Sequence, residues 1–171
     1  MEQAAEYVEP WLRGTHFELD AVVRQVIHAL ELADEDVAKW CAGLTDSEIN
    51  ARPYGLAPVA FHLRHIARSL DRLLSYAEGT QLDATQKAAL KTELDDGATL
   101  AAVMAEFKSG IHGAMARVRA FSPEQYNEAR GVGRAMLPTT VAGLAIHCAE
   151  HTQRHVGQAI ITAKVLLAMR T

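Results

Sequence analysis

The chain has 171 residues, 49% hydrophobic and 22% charged, with a net charge of -4 when histidines are counted as neutral, the profile of one globular domain over 1–171 and not of a disordered chain. No lysine and arginine cluster is dense enough to track phosphates, which argues against nucleic acid as a ligand, and the apolar runs are broken by charge well before the roughly 20 residues a membrane span needs. The start MEQAAEYVEPW lacks the basic residues and apolar run of a signal peptide, and two cysteines, Cys41 and Cys148, read as reduced thiols, so the expected location is cytoplasmic.

Helical periodicity first runs from about His16 to Cys41, with Val22, Val26, Ala29, Leu30 and Ala33 on one face. Gly43 closes that segment, and Asp46-Ser47-Glu48 reads as the cap of a short turn. A second helix is expected from Ala57-Pro58 to Glu78-Gly79, since proline suits a first helical turn. The linker after it holds a short helical piece, Asp83 to Leu94, with Asp83 as N-cap. A third helix spans about Ala98 to Phe121 and is stopped by Ser122-Pro123. The loop Gly131-Val132-Gly133 leads to a fourth, from Thr140 to Ala168, with Thr139 or Thr140 as N-cap. No segment alternates with period two. The expected fold is therefore all-α, a four-helix bundle with a short extra helix between helices 2 and 3.

Eight histidines are more than packing requires, and their spacing is informative. In the fourth helix His147, His151 and His155 follow one another at intervals of four, so they stand on one face and either successive pair could chelate an ion. The row Leu144, Cys148, His151, His155, Gln158, Thr162, Val165, Met169 is apolar at its ends and polar in its middle. A bundle helix meets its partners along such a row, which favours His151 and His155 over His147 and points Gln158 inward. Hydrogen-bonded core histidines without metal are the competing reading. The second helix offers a third ligand in Phe61-His62-Leu63-Arg64-His65. Helical rotation places His62 nearer than His65 to the centre of the apolar face of Val59, Leu63, Ile66, Leu70, Leu73 and Ala77.

Three fragments carry a family resemblance. Leu44-Thr45-Asp46-Ser47-Glu48-Ile49-Asn50-Ala51-Arg52-Pro53 resembles the lead into the second helix of DinB-like metalloproteins, His65-Ile66-Ala67 resembles their first ligand motif, and His151-x-x-x-His155-x-Gly157-Gln158 resembles their fourth-helix signature. The superfamily includes bacillithiol- and mycothiol-dependent transferase branches. The resemblance implies a four-helix bundle whose three histidines bind a divalent metal, zinc or nickel, and residue by residue it assigns His65, His151 and His155 as ligands, against the rotation argument for His62. It leaves His62 and His147 as supporting or solvent-facing positions. His16, His28 and His112 match no part of the signature and are expected to be structural or exposed.

Three neutral imidazoles leave the ion an open position, the arrangement of catalytic rather than closed structural sites. Metal-dependent thiol transfer, with a low-molecular-weight thiol as substrate, is the first expectation, and hydrolysis is also chemically available. The alternative is a non-catalytic metal- or ligand-binding bundle acting in a stress response. A di-iron carboxylate bundle would need Glu-x-x-His pairs, and no glutamate here has a histidine three residues later. Glu150 reads as a solvated helix residue, Cys148 as a small core residue, and Gln158 as a possible support for the ion. Pairing of two copies through helix faces is expected from the related bundles.

Overall fold

A computed structural model describes residues 7–170; the first six residues of the acidic start lie outside them. The elements in chain order are α1 (Ala21–Cys41), α2 (Asp46–Asn50), α3 (Val59–Ala77), α4 (Ala84–Ala89), α5 (Leu100–Val118), the strands β1 (Ala129–Val132) and β2 (Leu137–Thr140), and α6 (Val141–Ala168), with short 3-10 turns between some of them. The fold is all-α in its architecture. Helices α1, α3, α5 and α6 form the bundle: α6 packs against α1 and α3, and α5 packs against α3 and, less extensively, α1.

Three of the four long helices start where a side chain takes over an orphan backbone donor, whereas α3 starts after Pro58 without one. Asp20 accepts from the Val22 N–H, Thr99 from Ala102 and Thr140 from Gly143. Asp83 and Gln86 close a reciprocal capping box on α4, as Thr45 and Glu48 do on α2. The short helix between the second and third long helices is thus present, extended by a 3-10 turn over Leu90–Thr92.

Two expectations need correction. Helix α1 begins at Ala21 rather than near His16, because residues 14 and 16 adopt left-handed backbone (Gly14 φ +66, His16 φ +60) and the helix cannot propagate through them. The loop before α6 contains a hairpin, with β1 antiparallel to β2 and Ala129 opposite Thr140. Its short strands carry glycine and proline in place of alternating β-branched residues, so period two is missing from the sequence.

The core runs the length of the bundle through Ile27, Leu30, Val37, Leu63, Ile66, Leu70, Leu74, Phe107, Ile111, Val156 and Ala159. On α6 the buried residues are Val141, Leu144, Ala145, Cys148, Thr152, Val156, Ala159, Thr162, Ala163 and Leu166. They share Leu144, Cys148 and Thr162 with the row expected from spacing, and in its middle the burial shifts to Thr152, Val156 and Ala159. Gln158 and Met169 are exposed, and His151 and His155 sit half-buried on the flank toward α3.

Helices α3 and α5 approach closely at Gly110, where an added Cβ would meet the Ala67 Cα and Cβ at 2.7 Å. One of the two atoms met is backbone, so the contact cannot be relieved by turning a side chain. Gly110→Ala is expected to destabilise the bundle by about 1–3 kcal/mol. Gly113→Ala on the same helix, where an added Cβ meets nothing within 4 Å, should instead stabilise it by up to about 1 kcal/mol. Urea unfolding of the two variants checks both signs.

Candidate metal centre

The packing of α3 against α6 brings four imidazoles together. His65 Nε2 lies 2.9 Å from His151 Nε2, and His62 Nδ1 lies 3.0 Å from His155 Nδ1. The ring centroids of His65 and His155 are 4.4 Å apart, and those of His151 and His155 are 4.6 Å apart. One nitrogen from each of His65, His151 and His155 falls within 4.8 Å of the other two. Ligand nitrogens around a tetrahedral zinc with bonds of about 2.0–2.1 Å stand roughly 3.3 Å apart. The triad therefore has the spacing to hold an ion after movements of an ångström or so.

The protonation states suit that task. Desolvation by burial, followed by repulsion from neighbouring imidazoles and Arg154, pushes His151 and His155 from 6.5 down to about 4. His62, 2% exposed, is lowered to about 4 for the same first reason. All three are neutral at pH 7, and a neutral imidazole offers the lone pair that a metal requires.

Glu93, which sequence reasoning passed over, sets the tautomer of His65. The His65 Nδ1–H donates to Glu93 Oε2 at 2.7 Å, and Arg72 donates to Glu93 Oε1 at 2.8 Å. A carboxylate only accepts, so the proton of neutral His65 is held on Nδ1 and the lone pair of Nε2 faces His151. Burial alone would raise the Glu93 carboxyl, but the hydrogen bonds from His65 and Arg72 outweigh it and hold it below the usual range. In sequence Glu93 stands in a polar linker beside Lys91, Asp95 and Asp96, where a solvated acid is the natural reading; only the fold shows that it is 7% exposed.

His62 and His65 divide the two arguments made from sequence. The rotation argument correctly puts His62 deeper in the core, and the position on the flank leaves His65 free to meet His151. His62 faces His155 instead. When the His155 Nδ1–H donates to His62 Nδ1, the Nε2 of His155 is left with its lone pair. His147 lies outside the triad, half-exposed, with its ring 5.5 Å from that of His151 and Nδ1 3.5 Å from Glu150. Glu150 is exposed and pairs with Arg154 at 2.7 Å, as expected of a solvated helix residue. Gln158 is exposed, which corrects the expectation that it points inward. Burial pushes the Cys148 thiol up to about 12, so this core cysteine is no thiolate at neutral pH.

A recess of about 310 Å³ opens beside the triad, with His65, His151 and His147 on one wall and Leu73, Tyr76, Leu82 and Leu90 on the others.

A four-helix bundle that gathers imidazoles between two facing helices, braced by a carboxylate from a linker, defines a class of helical proteins able to hold a metal in the bundle interior. The family model of the DinB superfamily matches residues 29–159, and the chain belongs to that superfamily. Its members generally bind a divalent metal. A comparison with curated proteins found no match. Among the described residues no helix is long and apolar enough to cross a membrane.

The depressed imidazoles carry a pH dependence. Unfolded, each histidine takes up its proton near 6.5; folded, His62, His151 and His155 resist protonation until about 4. Below the unfolded value the unfolded chain binds more protons, so stability is complete above about pH 6.5 and falls as pH drops toward 4. The urea midpoint of metal-free protein is expected to decrease steadily between about pH 7 and pH 5, a window above the ordinary carboxylate values. A flat midpoint across it would contradict the buried, neutral imidazoles.

Proposed function

We propose that His65, His151 and His155 bind one divalent transition ion, zinc or nickel, with an open position toward the recess, and that the protein is a metal-dependent enzyme transferring a low-molecular-weight thiol. The observation that carries the reading is the convergence of three imidazole nitrogens beside a recess. Three protein ligands leave room for an exogenous one, as in catalytic sites. A bound divalent ion supplies Lewis acidity that acidifies a thiol or a water at neutral pH.

The chain's own residues do the rest. Glu93 and Arg72 hold His65 in the ligating tautomer, and His62 accepts the hydrogen bond of the His155 Nδ1–H. Leu73, Tyr76, Leu82 and Leu90 give the recess apolar walls that exclude water from an incoming electrophile. His147, the imidazole of the recess outside the triad, accepts the thiol proton. The sulfur then forms its bond to the electrophilic carbon while the leaving group departs with its electron pair. Water in place of the thiol makes the same site a hydrolase. The reaction is that of an enzyme acting in the cytoplasm, and two copies of the chain pair through helix faces.

Elemental analysis of untagged protein tests the site. His65→Ala and His151→Ala are each expected to remove one equivalent of ion per chain, and failure of both to change the metal content would sink the triad. Metal binding without thiol-dependent turnover of electrophilic substrates would leave the alternative, a non-catalytic metal- or ligand-binding stress-response bundle.

Glu93→Gln keeps the volume but replaces the charged acceptor. Loss of such a partner typically costs about 10–100-fold in metal affinity, to be read by competition with a chromophoric chelator. An unchanged affinity would show that Glu93 does not orient His65.

A further inference from the structure

A second group of ligating side chains stands apart from the histidine triad. His28 and Glu31 lie three residues apart on α1, one turn of the same face, and His16 reaches them from the segment that precedes the helix. One donor atom from each lies within 4.8 Å of the other two. His16 Nε2 is 2.7 Å from Glu31 Oε1, and the His16 and His28 rings are 5.6 Å apart. We propose that His16, His28 and Glu31 form a second divalent transition-metal site, a clip that fastens the segment before α1 onto that helix.

Four observations support the site. First, His16 adopts φ +60, one of three non-glycine residues with left-handed backbone among those described. That conformation costs on the order of 1–3 kcal/mol and persists where surrounding contacts hold it; here it turns the imidazole onto Glu31. Second, His28 is 5% exposed and burial pushes its pKa down, so the ring is neutral and carries a lone pair. Its Nε2 meets the Thr15 hydroxyl at 3.1 Å, a rotor that can turn its proton away. Third, His16 and Glu31 border a recess of about 420 Å³ that also includes Arg13, Asp34, Glu35 and His112. Arg13 is hydrogen-bonded to Glu35, so the direct side-chain contacts of Glu31 and Asp34 in this recess include the imidazoles of His16 and His112. Fourth, two imidazoles and one carboxylate are a donor set that zinc accepts with an open position, and the recess offers that position to water.

The clip would serve a segment otherwise weakly held. Besides the buried Pro10, its ties to α1 include the partly exposed Arg13–Glu35 ion pair, a type of contact that contributes about 0–1 kcal/mol. His16 and His28 also precede the stretch matched by the DinB superfamily, which begins at residue 29. The site is therefore distinct from the triad in position and in ligands.

The test uses the full-length, untagged chain, stripped with a chelator, equilibrated with micromolar zinc and freed of excess. Zinc per chain is measured for wild type, His16→Gln, Glu31→Gln, His151→Gln and the His16→Gln/His151→Gln pair, with circular dichroism to confirm folding. Two equivalents are expected for wild type, one for each single variant and none for the pair. Zinc should also slow tryptic cleavage after Arg13 in wild type and His151→Gln, and not in His16→Gln or Glu31→Gln. Zinc content unchanged by both His16→Gln and Glu31→Gln, or binding only at millimolar zinc, overturns the clip. A single equivalent lost in His16→Gln and kept in His151→Gln upholds the clip and removes the triad. If His16→Gln does not fold, Glu31→Gln and the cleavage rate decide alone.

Discussion

The site depends on a conflict at the α3–α6 contact: two helices that must bury apolar faces against each other also bring four imidazoles into that seam. Burial removes water from them, and their closeness makes any charge on one unfavourable to the next. Both effects drive His62, His151 and His155 to the neutral form. In a purely structural bundle this is a cost with little return, since leucines in those positions would pack without any desolvation penalty. Neutral, convergent nitrogen lone pairs are useful to something that accepts electron pairs, and the same desolvation that weakens the metal-free bundle prepares the seam for a cation.

Glu93 makes the arrangement electrically asymmetric. One buried carboxylate faces His65, and Arg72 from α3 balances its charge from the other side. Arg72 also donates toward the Ser69 hydroxyl at 3.5 Å, and that hydroxyl in turn donates to the His65 carbonyl. The backbone and ring of His65 are thus tied to the same small network. Because Glu93 comes from the connection after α4 and not from a bundle helix, the short helix has a function beyond joining α3 to α5. Its capping box fixes where the chain leaves the α3 surface, and the 3-10 turn that follows delivers the carboxylate.

The legibility of the molecule follows the range of the interactions involved. Long helices were readable because their causes are local: Asp20, Thr99 and Thr140 cap the turns that follow them, and apolar residues recur at helical spacing. The placement of His65, His151 and His155 was readable as far as intervals of four residues and a family signature reach. What the linear pattern missed depends on contacts between distant segments or on rotation by a fraction of a turn. Glu93 looks like one more acid in a charged linker until the fold buries it. The α6 seam was drawn through Gln158 and Met169, whereas packing against both α1 and α3 shifts the buried line to Thr152, Val156 and Ala159. The early start assigned to α1 failed for a local reason, since histidine in left-handed backbone leaves no mark in composition.

The four imidazoles also define from which side the seam can be reached. His155 turns its Nδ1 to His62, which is buried, and Phe61 packs its ring 5.1 Å from that of His62 and 5.4 Å from that of His65. That side of the triad is lined by packed rings, of which His62 is buried and Phe61 half-buried. On the other side His65 and His151 border the recess, where His147 stands half-exposed and the walls come from α3 and from the connection holding Leu82 and Leu90. The connection between α3 and α5 therefore supplies both the carboxylate that accepts from His65 and part of the apolar lining of the recess. Exchanging that connection would remove both the acceptor of the His65 Nδ1–H and part of the lining of the recess, while the capped helices of the bundle could stay as they are.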